Sequence, residues 1–464
     1  MLKSTIFREY DIRGVADDEL TDAGVEQLGR AIGTYIQRQA GKKINLGRDT
    51  RLSSPRLRDA LARGLKASGC EVTDIGVVPT PVLYYSVFNL KADGAVMITG
   101  SHNPPEFNGF KTVCGATTIY GEAIQQIYRL IETGDFATGT GSEKSADVVT
   151  PYVDEVASQF QFPRRIKVVF DAGNGTGGPV MHRILERLNA DATEMFFEMD
   201  GRFPNHHPDP TVPANLEALI AKVIETGADM GIAFDGDTDR IGAVDEHGAV
   251  IYGDQLMIIY GREILTRKPG ATFVGEVKSS QVMYDDLAAR GGNPIMWKTG
   301  HSLIKAKMKE THAELAGEMS GHMFFADRYY GFDDALYAAC RLMEIVARSG
   351  RPLSAQLADL PHTVTTPEIR VDCPDDLKFG VVRRCTEELR ARHETIDVDG
   401  VRVLFPHGWG LVRASNTQPV LVMRFEATTP ELLQEYRGEV EEVVQSAKEA
   451  AQKNAVGRPG GLSN

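Results

Sequence analysis

Short runs of apolar residues recur along this chain, and several open straight into a polar, glycine-bearing loop. Gly94-Ala95-Val96-Met97-Ile98 leads into Thr99-Gly100-Ser101. Ile166-Lys167-Val168-Val169-Phe170-Asp171 leads into Gly173-Asn174-Gly175-Thr176-Gly177-Gly178, residues 228–234 lead into Asp235-Gly236-Asp237, and residues 272–277 form another such run. Between them, helical spacing marks residues 23–39, 55–68 and 179–188, and the strand-like residues 43–47 and 72–75 fill the remainder. Strand, loop and helix in rotation demand mainly parallel sheets covered on both faces. After about residue 362 the pattern changes. Residues 401–405, 410–413 and 420–425 are strand-like and close together, and one long helix follows near 430–453. That texture belongs to a smaller α+β domain with antiparallel strands.

With 464 residues the chain exceeds one hydrophobic core and calls for three or four domains. Residues 137–147 are polar and Gly/Ser-rich and read as a linker. Turns at 245–254 place a second boundary near 250, and prolines within 352–367 precede a third. The expected domains are therefore 1–147, 148–250, 251–362 and 363–464, with a frayed Pro/Gly-rich tail from Gly457. A formal net charge of −13 argues against nucleic-acid and anionic-membrane partners. Five scattered cysteines without metal spacing fit free thiols in a reducing compartment. No signal-peptide core or apolar run of membrane-spanning length is visible, so a cytoplasmic enzyme is expected.

Two motifs carry most of the chemistry. In Thr99-Gly100-Ser101-His102-Asn103-Pro104-Pro105, two prolines exclude helix continuation and stiffen the loop that presents Ser101. The loop ends a buried strand, where α/β proteins place reactive groups, although an ordinary turn serine would also fit. In Phe234-Asp235-Gly236-Asp237-Thr238-Asp239-Arg240, alternate carboxylates can share one side only on an extended or looped backbone. Three such oxygens without a cation would repel, so Asp235, Asp237 and Asp239 read as ligands of a hard divalent ion. The continuation of a calcium loop is missing, which favours Mg²⁺.

Further along, Gly317-Glu318-Met319-Ser320-Gly321-His322 crowds a carboxylate, a hydroxyl and an imidazole into a tight loop suited to vicinal sugar hydroxyls. Arg413-Ala414-Ser415-Asn416-Thr417-Gln418-Pro419 joins a guanidinium to hydroxyls, an amide and free turn N–H groups, a phosphate cradle in an acidic chain. An ordinary polar hairpin would share much of that composition. Two weaker clusters remain: Phe7–Gly14, with Tyr10 and Arg13, and Trp297–Ser302, with His301 at a helix start.

These four motifs, in this order and over essentially the whole chain, resemble the α-D-phosphohexomutase superfamily, most closely its bacterial phosphomannomutase/phosphoglucomutase branch. The resemblance implies three related mixed-sheet α/β domains and a C-terminal α+β domain, heart-shaped around one central cleft. It implies that Ser101 is the phosphoserine and, with Asp235, Asp237 and Asp239, a Mg²⁺ ligand. Lys111 and His301 match positions associated with proton transfer, and Arg240 would face the transferring phosphoryl group. Tyr10, Arg13 and Lys278 match ligand contacts. Glu318, Ser320 and His322 match the sugar loop; Arg413, Ser415, Asn416 and Thr417 match the distal phosphate site. Thr238 departs from the glycine common there and puts the loop geometry in question.

The implied reaction interconverts hexose 1-phosphate and hexose 6-phosphate, of glucose or mannose, through a hexose 1,6-bisphosphate that also serves as activator. The implied enzyme is a cytoplasmic monomer whose partners are small sugar phosphates. Two alternatives use the same residues: a metal-dependent phosphatase with Ser101 as nucleophile, and a non-catalytic sugar-phosphate sensor. Neither gives every loop a task.

Overall fold

The computed structural model describes residues 2–456, so the tail from Gly457 lies outside the described residues. The chain divides into two compact units. Among the described residues, one comprises 2–274, Leu287–Pro294 and Gly300–Asp359; the other comprises Gly275–Asp286, Ile295–Thr299 and 360–456. Among the described residues the strands form four sheets, of seven, five, four and six strands.

In the first unit, the seven-stranded sheet is mixed. Lys43–Arg48 runs parallel to both Glu71–Val77 and Gly94–Ile98, whereas Phe107–Cys114 returns antiparallel beside Gly94–Ile98. Helices Asp22–Gln39 and Ser54–Ala67 pack against each other over a core that includes Leu28, Ile32, Leu57 and Leu61. Their approach is close enough that a Cβ on Gly64 would strike the Glu26 carbonyl. The five-stranded sheet repeats the plan: Ile166–Asp171 pairs parallel with Met230–Phe234, which then pairs antiparallel with Ile241–Asp245.

The sheets are mixed, as the resemblance implies, where strand and helix alternation alone read as mainly parallel, and the antiparallel pairs have a use. The serine loop, 99–106, joins antiparallel strands Gly94–Ile98 and Phe107–Cys114. The aspartate loop, 235–240, joins Met230–Phe234 and Ile241–Asp245, and the Glu318 loop joins Leu315–Gly317 and Met323–Phe325. In each case the buried strand turns back on itself instead of feeding a helix, and the functional loop is that reversal. The polar stretch read as a linker is partly ordered in the first sheet: Ser142–Ser145 adds as an edge strand parallel to Glu71–Val77. All four of its side chains are exposed, so no hydrophobic pattern announced it.

The second unit contains the six-stranded sheet. Val420–Ala427 runs antiparallel to Gly408–Ala414, and Gly408–Ala414 to Val401–Phe405. Helices Asp375–Arg390 and Pro430–Val456 pack with it around Val403, Val412, Phe425 and Val440. This is the antiparallel α+β region foreseen after residue 362.

Candidate active site

Ser101 is 2% exposed and takes a left-handed backbone conformation, φ 48°, between Gly100 and His102. Its Oγ donates to Asp235 Oδ2 at 2.8 Å and lies 3.3 Å from His102 Nδ1. The serine loop of the first sheet thus meets the aspartate loop of the second inside one compact unit. Burial, followed by the nearby Arg240 and Arg13 cations, pushes His102 well below the ordinary histidine value, so its imidazole is neutral.

Asp235, Asp237 and Asp239 have no exposed surface, and one oxygen from each lies within 4.8 Å of the others. The loop turns each carboxylate inward by different means. Asp235 Oδ1 accepts the backbone N–H groups of Asp239 and Arg240 at 3.1 and 3.2 Å. Asp237 Oδ2 accepts from the Thr80 hydroxyl at 2.6 Å and from Lys111 Nζ at 2.7 Å, and Lys111 also donates to Asp239 Oδ2. Thr238 sits at φ 65°, the region where a side chain is disfavoured. Here its hydroxyl is 3.2 Å from that of Thr176, and the turn is kept.

The electrostatics follow from three carboxylates in a dry site. Burial and the Asp237 and Asp239 charges push Asp235 well above the usual carboxylate range. Burial also works against ionised Asp237, but the Lys111 ammonium and its hydrogen bonds hold that group low. Lys111 is drawn down by burial and raised, on balance, by Asp237 and Asp239. In this arrangement it is a cation pinned between two carboxylates. Lys111 engages only the Oδ2 atoms; Asp237 Oδ1 and Asp239 Oδ1 are buried without a hydrogen-bond partner. Hard, anionic, unpartnered oxygens are the donor set a divalent metal takes, so the trio fits a metal.

A second cluster adjoins the first. Arg240 Nε donates to His322 Nε2 at 3.1 Å, which makes that nitrogen the acceptor and places the ring proton on Nδ1. His322 Nδ1 faces Asp333 Oδ2 at 3.2 Å, off the line of a hydrogen bond, and Asp333 Oδ1 accepts from Lys305 at 2.9 Å. Asp239, His322 and Asp333 also have metal-ligand proximity. His301 stacks on His322 with ring centres 5.5 Å apart and meets the edge of Tyr10 at 6.0 Å. Burial and the Lys305 charge hold His301 well below the ordinary histidine value. Glu318 Oε1 accepts the Gly300 N–H at 2.7 Å, securing the start of helix His301–Thr311. Gly321, at φ 91°, packs so close to Ile241 that its N–H-bearing turn receives the Ile241 N–H on its carbonyl at 3.0 Å. Arg13 reaches the Asn103 side-chain amide at 2.7 Å and pairs with Asp11. Ser320 is half-buried at the tip of its loop.

Five of the expected residues lie in the second unit. Lys278 Nζ pairs with Glu368 at 3.2 Å and Glu276 at 3.6 Å. Arg413 Nε donates to Asp399 Oδ2 at 2.9 Å, and Ser415 Oγ accepts the N–H groups of Thr417 and Gln418 at 3.3 and 3.1 Å. Arg413 and Ser415 are buried, Asn416 half-buried and Thr417 exposed, so this hairpin tip graduates from a fixed cation to solvent.

Sequence reasoning did not single out Asp49, Arg51, Thr80, Lys305 or Asp333. Asp49 and Arg51 follow the buried strand Lys43–Arg48, and charged groups at a strand's carboxyl end were the available signal. Thr80 and Asp333 had none, because each is defined by what it meets across the fold.

Comparison with known proteins agrees with this geometry. Profiles of phosphoglucomutase/phosphomannomutase match along the chain: alpha/beta/alpha domain I over residues 4–138, domain II over 150–248, domain III over 252–364 and the C-terminal domain over 368–443. A phosphomannomutase/phosphoglucomutase of Pseudomonas aeruginosa is 46% identical over 434 residues, 93% of this chain and 94% of that one. A phosphoglucomutase of Neisseria gonorrhoeae is 44% identical over 449 residues, covering 95% and 97%. The crystal structure of a phosphoglucomutase/phosphomannomutase family protein from Burkholderia thailandensis superposes with a TM-score of 0.90 at 44% identity, covering 97% of this chain and 98% of that one. With four successive domains matched and relatives this close over nearly its full length, the chain belongs to the phosphoglucomutase/phosphomannomutase family of the α-D-phosphohexomutase superfamily.

Proposed function

We infer that this family member is an intramolecular phosphotransferase that interconverts hexose 1-phosphate and hexose 6-phosphate of glucose or mannose, with Ser101 carrying the phosphoryl group. The observation that supports this most is the Ser101 hydroxyl, buried and 2.8 Å from Asp235 beside two carboxylates with unpartnered oxygens. Asp235, Asp237 and Asp239, with the Ser101 phosphate, are the residues that would hold Mg²⁺, which when bound supplies positive charge to the phosphoryl oxygens.

The chain's own groups supply the rest. Arg240 and Lys111 bring fixed positive charge to a water-poor site where charge spreads over the phosphoryl oxygens. In the first half-reaction the Ser101 Oγ–P bond breaks, a P–O bond forms to the sugar hydroxyl, that hydroxyl's proton passes to a base, and the leaving Ser101 Oγ takes up a proton from an acid in the site. We assign the base to His301, whose neutral imidazole can accept it, and not to Lys111. The resulting hexose 1,6-bisphosphate turns over and returns its other phosphoryl group to Ser101 Oγ. Glu318, Ser320 and His322 read the sugar, Tyr10, Arg13 and Lys278 contact the ligand, and Arg413, Ser415, Asn416 and Thr417 grip the phosphate that is not reacting.

A phosphatase would leave the last two groups without a task. The two readings separate on one assay, inorganic phosphate release against hexose 6-phosphate formation from hexose 1-phosphate; a mutase gives the second with little of the first. The ratio of kcat/KM for glucose 1-phosphate and mannose 1-phosphate, epimers at the 2-hydroxyl, assigns the preferred sugar. We also take the domains as 1–147, 148–250, 251–362 and 363–464, each bearing one loop, a reading supported by the four profile spans. The same reading has the enzyme act as a cytoplasmic monomer on free sugar phosphates. Among the described residues no helix is long and apolar enough to cross a membrane.

A further inference from the structure

Behind the serine loop lies a guanidinium whose whole donor set is spent on that loop. Arg51 is fully buried. Its Nη2 donates to the carbonyls of Ser101 at 2.8 Å and Asn103 at 2.6 Å; its Nη1 donates to those of Pro104 at 2.5 Å and Phe107 at 2.9 Å. The fifth N–H, on Nε, goes to Asp49 Oδ2 at 3.1 Å. A guanidinium has five N–H donors in a rigid plane, and all five are matched here.

Asp49 closes the ring from the other side. It accepts the backbone N–H of Gly100 at 3.1 Å and of Arg51 at 3.0 Å, and the Ser54 hydroxyl at 2.6 Å. Gly100 lies flat on the guanidinium, where a Cβ would fall 2.5 Å from Arg51 Cζ. The residue so enclosed is Ser101, in a left-handed conformation that costs a non-glycine residue strain unless its surroundings enforce it. The Phe203 ring lies 5.3 Å from Arg51 Cζ, and Pro208 of the same stretch approaches Gly236 of the aspartate loop.

We propose that Arg51 is a positioning residue for phosphoryl transfer: its five-point clamp on the serine loop holds Ser101 in the left-handed conformation that aims Oγ at Asp235. The inference rests on Ser101 being the phosphoryl carrier. Arg51 touches neither substrate nor the reacting oxygen; it acts through the backbone. A lysine keeps the charge but offers three donors from one point and cannot span four carbonyls.

The test follows loading of Ser101 in the full-length protein by hexose 1,6-bisphosphate, read as intact mass, together with steady-state kinetics. Arg51→Lys is expected to slow both loading and kcat by about 100-fold, the scale of an ångström-sized misplacement, with KM for hexose 1-phosphate unchanged. Arg51→Ala is expected to regain loading with methylguanidinium and not with methylammonium. A general loss of structure would move KM and would not discriminate between those two cations. If Arg51→Lys loads and turns over like the wild type, the clamp is overturned while the Ser101 reading stands. If the wild type itself never carries phosphate on Ser101, that reading fails first and the clamp with it. Should both variants fail to fold, hydrogen exchange in the wild type decides. The N–H groups of Ser101, Asn103 and Phe107 are expected to exchange as slowly as those of strand Gly94–Ile98, and exchange at the rate of an open loop overturns the clamp.

Discussion

Asp237 stands between the Thr80 hydroxyl and the Lys111 ammonium, in a site that buries three carboxylates against that cation. Substituting Asp237→Asn removes one negative charge from a cluster whose members repel, and the amide oxygen can still accept from Lys111. Asp239 remains as a charged partner of Lys111, so the metal-free protein is expected to lose only a little Tm, while turnover falls by more than about 100-fold through loss of transition-state charge stabilisation. Thermal melts in EDTA beside hexose 6-phosphate formation check both halves; full wild-type activity in excess EDTA would remove the metal assignment. At the other loop, Arg413 is buried and held by Asp399, so its charge is fixed in place. Arg413→Ala is expected to raise KM for glucose 1-phosphate and mannose 1-phosphate by the same factor, because the phosphate is common to both. Unequal effects on the two epimers would move Arg413 from phosphate to sugar recognition.

Helices and strands hold these residues through contacts that have their own signatures. Asp327 joins helix Gly253–Arg267 to helix Ala335–Ser349, taking charged hydrogen bonds from Arg267 at 2.7 Å and Arg341 at 2.9 Å. Burial alone would raise Asp327, but Arg267 and Arg341 reverse that and bring it from 3.8 to about 2. A carboxylate lowered on folding stabilises above its unfolded value and loses that contribution as pH falls through its folded value. The acid limb of stability between about pH 4 and pH 2 should thus contain about 2 kcal/mol from Asp327, absent in Asp327→Asn, when urea melts are compared across that window. At neutral pH the same substitution is expected to cost about 2 kcal/mol, since buried Arg341 then keeps only Glu263 as a charged partner. Gly64→Ala tests the helix pair directly: its methyl would meet the Glu26 carbonyl, and a Tm drop matching about 1–3 kcal/mol is expected. The buried strands were legible because Val, Ile, Met and Phe crowd into short runs, and the helices because their apolar residues recur at helical spacing. Edge strand Ser142–Ser145 was not legible, since its backbone pairs while its side chains face water. Strand polarity was not legible either; a run such as Met230–Phe234 looks the same whether the chain next enters a helix or folds back.

At the scale of the molecule, one device recurs. Each sheet carries its candidate site residues at a reversal between antiparallel strands: Ser101 in the first, the aspartates in the second, Glu318 to His322 in the third, Arg413 to Thr417 in the fourth. These loops were legible in the sequence because reactive groups cluster in them within a few residues of glycine or proline. What joins the first three was not, because Thr80 on Asp237, Asp333 opposite His322 and Arg51 under Ser101 are contacts between segments far apart in the chain. The most direct measurement on Ser101 Oγ is the intact mass of the active enzyme before and after exposure to hexose 1,6-bisphosphate, in wild type and Ser101→Ala. If Ser101 Oγ carries the phosphoryl group, the wild type shows a species about 80 Da heavier than the bare chain, restored by bisphosphate after dephosphorylation and tracking activity. Ser101→Ala then shows no such species and loses nearly all turnover. Turnover near the wild-type rate in Ser101→Ala, or a fully active wild type without the added mass, would contradict that role.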